Sequence, residues 1–120
     1  MNEAEPVPEP AAADGDSLPA PGEDACLSER DRTLLLLGAL TEQNRIDDAA
    51  DRMRSALEAG DLTEEQLHEI AIFLCHYVGW PRGTSLDMRV GSVAARVRKA
   101  ARRAAEAEAK RAAEAEPVQN

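Results

Sequence analysis

Aromatic rings are almost absent from this 120-residue chain, which holds one Phe, one Tyr and one Trp. That scarcity excludes the stacking platforms on which single-stranded nucleic acid is bound. Long apolar runs are missing too, and none approaches the roughly 18 residues of a membrane span. The N-terminal residues lack a basic segment followed by an apolar one, so no secretory signal is expected. Two cysteines, Cys26 and Cys75, are too few for a disulfide framework. A reduced, cytoplasmic setting is the simplest expectation. Strand signals are lacking as well, because β-branched residues never alternate with polar ones over more than a few positions. Negative charge, by contrast, is in excess: the formal net charge is −9. Such acidity argues against non-specific binding to nucleic acid or to an anionic membrane.

The acids concentrate at one end. Residues 1–26 read as an acidic tail, with seven acids and no base before Cys26. Its Pro and Ala content leaves too little apolar surface to offset the entropy of ordering, so disorder is expected. Residues 27–98 carry helical patterning. Ser28 is a candidate N-cap, with acids in the turn that follows. Leu34, Leu35, Leu36, Leu37 and Leu40 then make a helix apolar nearly all round. Ile46, Ala49, Ala50, Met53, Ala56 and Leu57 form the stripe of a second helix, which Gly60 ends. Thr63 and Gln66 form a capping box for a third, whose buried face is Leu67, Ile70, Ala71, Leu74 and Val78. Gly79 ends that helix, and Pro81 fits just before or at the start of the next. The last helix is expected from about Thr84, with Leu86, Met88, Val90, Val93 and Val97 spaced along it. Residues 99–120 form an Ala/Arg/Glu-rich extension of high helix propensity, expected to stand in solvent and fray toward Pro117. The fold class is therefore all-α, a compact domain of about four helices. Roughly 70 packed residues are marginal for a monomer, and oligomerisation would supply the missing core. The leucine helix and the expected exposure of Phe73 and Trp80 offer interface material.

Several of these segments together resemble the carboxymuconolactone decarboxylase family, which includes alkylhydroperoxidase-D-like proteins. The likeness rests on Arg30-Asp31-Arg32 before the leucine helix, on the run from Ala56 to Gln66, and on Tyr77 to Pro81 with small residues after it. It covers roughly residues 27–95. The resemblance implies an all-helical trimer or hexamer with clefts shared between helices and subunits; the alternative, raised by Arg52 at the family's histidine position, is a non-catalytic member forming a hetero-oligomer with an active paralogue. It also implies cofactor-free decarboxylation of a small carboxylated lactone or cyclic acid in aromatic-compound breakdown. Counted back from Gly60, the family's histidine position is Arg52 and its acid position is Asp48. The two cysteines of the peroxidase branch would fall on Arg45 and Asp48, so the redox dithiol is absent. Arg52 departs from the pattern in a chemical sense, because arginine does not exchange protons near neutral pH.

Candidate site residues follow from both readings. Asp48 and Arg52 are four apart on one helix face. In the plainest case they form an ion pair worth about 0.3–0.5 kcal/mol. In the functional case Arg52 grips a substrate carboxylate while Asp48 orients it or moves a proton. His76 is a candidate general acid or base. Arg82, Trp80 and Tyr77 are candidates for binding substrate and walling the cleft. Decarboxylation needs such groups: cations for the spectator carboxylate, and an acid to protonate the enolate. His68, set among Glu64, Glu65 and Glu69, reads as a solvated imidazole. Cys75 reads as a small buried apolar residue. No metal is expected, since His68, His76 and Cys75 lack ligand spacing. The basic stretch Arg96, Arg98, Lys99, Arg102 and Arg103 reads as a solvated helix face that could pair with the chain's own acidic tail or with a partner protein.

Overall fold

The computed structural model describes residues 26–115. The disorder expected before Cys26 and the fraying expected at Pro117 lie outside the described residues. Within them the chain is all-helical, as expected: α1 (Glu29–Glu42), α2 (Ile46–Ala59), α3 (Glu64–Val78) and α4 (Trp80–Ala115). No helix among the described residues is long and apolar enough to cross a membrane.

Local chemistry sets the helix ends. The Ser28 hydroxyl accepts from the Asp31 amide at 3.0 Å, satisfying a donor that the first turn of α1 leaves free. The capping box at α3 is complete: Gln66 N–H donates to Thr63 Oγ1 at 3.1 Å, and Thr63 N–H donates to Gln66 Oε1 at 3.0 Å. Gly60 closes α2 in the left-handed region at φ 76°, where a Cβ would be strained. The α1–α2 turn uses Asn44 at φ 57° instead, and asparagine is among the residues that tolerate that region.

Burial selects one face of each helix. Leu37, Met53, Leu67, Leu86 and Val90 are all but inaccessible, joined by Ala49, Ala56, Ala71 and Leu62. Leu62 lies in the α2–α3 loop and acts as a core residue outside any helix. Of the leucines of α1, only Leu37 and Leu40 are buried. Leu34 and Leu36 are half-buried against the core, and Leu35 is 65% exposed. The buried Thr41 hydroxyl donates to the Leu37 carbonyl at 2.6 Å, so the polar group is not left unpaired.

The largest interface joins α3 to α4. These two helices are separated by one residue, Gly79 at φ 91°, and α4 begins at Trp80 rather than near Thr84. Pro81 thus falls in the first turn of α4, where a missing N–H costs nothing. A close contact follows at once. A Cβ on Gly83 would stand 2.2 Å from Cys75 Sγ and 2.9 Å from Cys75 Cα. Turning the thiol away relieves the first clash but not the second, so the backbones themselves touch. Cys75 is buried, as expected of a small apolar residue. Arginines of α4 then reach every other helix: Arg82 to Glu42 of α1 at 3.4 Å, Arg89 to Asp47 of α2 at 2.7 Å, and Arg98 to Glu64 of α3. Val97 is the last half-buried residue of α4, and residues 98–115 are exposed throughout.

Gly83→Ala should destabilise the protein by about 1–3 kcal/mol through overpacking. Gly91→Ala, where an added Cβ meets nothing within 4 Å, should instead be neutral or stabilising by up to about 1 kcal/mol. Urea unfolding of the two variants side by side checks the contrast.

Candidate functional site

Arg52 and Asp48 share a face of α2 but do not pair with each other. Arg45, the residue before α2, takes Asp48: its Nε donates to Asp48 Oδ2 at 2.8 Å. Arg52 turns to the first residue of α1, with Nη2 3.2 Å from Glu29 Oε1. The guanidinium is largely covered, its side chain 20% exposed against 43% for Glu29. Distance alone does not make a hydrogen bond here, because the angle is poor. Nε and Nη2 are both buried and without a hydrogen-bond partner among the described residues. A covered guanidinium edge of this kind is a costly state and calls for an acceptor. Nε and Nη2 form the side-on edge of the fork, the edge that takes a carboxylate through two parallel bonds. Glu29 was not singled out by sequence; its only signal was an acid in a first helical turn.

The other expected site residues lie elsewhere. Arg82 is bound to Glu42, the last residue of α1, whereas Arg52 is bound to the first. These anchors are 13 residues apart, or roughly 20 Å at 1.5 Å per residue. Within one copy of the chain the two guanidinium groups therefore serve different places. His76 is in the last turn of α3, and its Nδ1 is 3.1 Å from the Ile72 carbonyl. A carbonyl can only accept, so Nδ1 carries the hydrogen in this contact. The imidazole and the Trp80 ring are tilted neighbours, 5.8 Å between centroids. Tyr77 is paired with Phe73, ring centroids 5.0 Å apart. Tyr77 is 72% exposed, Trp80 61% and Phe73 59%. The structure thus brings His76 and Trp80 together and sets Tyr77 beside Phe73 on the outside of α3. It holds Asp48 and Arg52 one turn apart on α2.

A groove of about 240 Å³ runs between α1 and α3, with Arg30, Leu34, Gln66, Glu69, Ile70 and Phe73 among its walls. None of the expected site residues lines it. His68 departs from the solvated imidazole expected of it. Its Nδ1 is 2.7 Å from Asp87 Oδ1 of α4, and its Nε2 is 3.8 Å from Glu64 Oε1. Glu64 also holds Arg98, so a chain of Asp87, His68, Glu64 and Arg98 stitches α3 to α4. Spacing on one helix could not reveal Asp87, which lies 19 residues away. Among the described residues no group of three or more His, Cys, Asp or Glu is placed to hold a metal ion.

Comparison with protein-family models, curated proteins and solved structures returned no match.

The His68–Asp87 bond should contribute modestly. A double-mutant cycle of His68→Ala and Asp87→Ala, read by urea unfolding, should give a coupling of about 0.5–1.5 kcal/mol.

Proposed function

We propose that this chain binds a small carboxylated lactone or cyclic acid at Arg52 and decarboxylates it without a cofactor, the activity implied by its resemblance to the carboxymuconolactone decarboxylase family. One observation carries the reading: the side-on edge of Arg52 is buried and has no hydrogen-bond acceptor among the described residues. A carboxylate completes that edge with two charge-assisted bonds. Glu29 stands beside it as an internal carboxylate in poor alignment. Its half-exposed side chain can swing outward and leave the place to a ligand.

The chemistry divides between holding and protonating. Arg52 holds the carboxylate that stays. The bond to the departing carboxylate breaks, carbon dioxide leaves, and the electron pair passes into the lactone carbonyl as an enolate. A proton then returns to carbon. Arg52 does not supply it. The proton comes from water through an acidic side chain, and Glu29, which contacts Arg52, and Asp48, one helical turn before it, are the candidates for that relay. Isothermal titration with small cyclic and lactone carboxylates tests the binding, and release of carbon dioxide tests the reaction. Arg52→Met should weaken binding by about tenfold or more, the loss of a charge-assisted pair. Glu29→Gln should tighten binding, because the competing internal carboxylate is gone, while slowing turnover. Absence of binding in the wild type and in Glu29→Gln alike would defeat the reading.

A second reading is supported by the outer face of α3. Ile72, Phe73, Tyr77 and the adjoining Trp80 are all more than half exposed. With no histidine at position 52, the chain fits a catalytically silent subunit that pairs with an active paralogue, or a homo-oligomer assembled through the same face. Light scattering of the chain alone and co-expressed with a paralogue separates these. Phe73→Glu combined with Tyr77→Glu should convert any such assembly to monomers without loss of helix content by circular dichroism.

A further inference from the structure

We propose that the acidic segment 1–25 docks on the basic face of α4 around Arg96–Arg103, within the same molecule. Three observations converge on that pairing. The first is charge. Residues 1–25 hold seven acidic side chains and no basic one, while five of the chain's cations fall within eight residues of α4. The second is the disposition of those cations. At 100° per residue, Arg96, Arg98, Lys99, Arg102 and Arg103 all lie between about 100° and 260° around the helix from Val97. Val97 marks the side packed on the bundle, so the five face away from it and all five are exposed. Arg98 reaches back to Glu64. Among the described residues the other four make no ion pair or hydrogen bond. Glu106 lies on the same face one turn beyond Arg102 and closes the basic stretch there.

The third observation is where the segment joins the fold. Arg30 and Leu34 of α1 line the same groove as Leu62 and Gln66 at the start of α3. The beginnings of α1 and α3 are therefore side by side. Arg98 touches Glu64, the first residue of α3. The acidic segment thus leaves the bundle at the end where the basic stretch of α4 emerges. The coil dimension for 25 residues is a root-mean-square span of about 25–30 Å. The helix from Arg98 to Ala115 is about 27 Å long, so the basic stretch lies well within reach. Tethering at that range gives an effective concentration of the order of millimolar. Each exposed pair contributes little, about 0.2–1 kcal/mol. The docking is therefore multivalent, loose and sensitive to salt, and it covers a strongly basic face of an acidic protein.

The test uses the full chain with a spin label at residue 12, introduced as Ala12→Cys in a Cys26→Ser background. Cys75 is buried and stays unlabelled. Paramagnetic broadening of backbone amides is measured at about 50 mM and about 500 mM salt, a range over which exposed charges become screened. The expected result is broadening centred on residues 96–103 at low salt that fades at high salt. It should also vanish when Arg96, Lys99, Arg102 and Arg103 are changed together to Gln. Those four are outside the core, and circular dichroism verifies that the variant keeps its helix. Broadening centred on the α3 aromatic face, or spread evenly and indifferent to salt, would overturn the proposal. So would broadening of α4 seen when labelled and isotope-enriched molecules are mixed but not within one molecule, since the segment would then be serving a second copy.

Discussion

The backbone contact between Cys75 and Gly83 is the constraint on which the rest of the fold depends. A single glycine, Gly79, turns the chain between α3 and α4. The two helices leave it already touching, with no room for one methyl group at residue 83. That contact sets how closely α4 can lie against α3. It presents Leu86, Val90 and Val93 as one wall, against which the other helices complete the core. With about a dozen large or small apolar residues fully covered, the domain has little reserve. The arginines of α4 add a tie to each of the other helices, but they are exposed pairs and contribute less than the packing they surround.

The chemistry of the surface is divided by the same arrangement. Arg52 is held at the start of α1 and Arg82 at its end, so the cations that resemble one another in sequence serve opposite ends of the bundle. Phe73, Tyr77 and Trp80 are all outside the core, and of the three Phe73 alone lines the groove. Phe73 and Tyr77 pair on the outside of α3, and His76 and Trp80 pair at its end. A protein with so few rings that leaves all three more than half exposed has its largest apolar side chains available for association.

Features decided by neighbours a few residues apart were legible in the sequence. Ser28 capping α1, the Thr63–Gln66 box and the Gly60 stop are local geometries, and each stands where its residue type requires. The all-helical class was equally legible from periodicity. Features decided across the fold were not. The tight place at Gly83 exists only because Cys75 crosses it. Arg52 reads as a partner for Asp48 until α1 brings Glu29 nearer. His68 reads as solvated among acids on its own helix, yet its shortest bond is to Asp87 on the next. Gly-Trp-Pro reads as a connection, so the sequence points to a start of α4 near Thr84, four residues beyond Trp80, although a helix accepts proline in its first turn.

The straight run of α4 beyond Val97 has a mechanical meaning. Its alanine, glutamate, lysine and arginine content favours helix at nearly every position, and charges three and four apart support it further. The segment therefore behaves as a stiff rod fixed at one end. A tilt of about 10° where it leaves the bundle carries Ala115 through roughly 5 Å, given a rod of about 27 Å. Because α4 is joined to α3 by one residue only, there is no slack to absorb such a tilt at Gly79. A load applied to the tip is delivered as leverage on the Cys75–Gly83 crossing, about 32 residues away along the same helix.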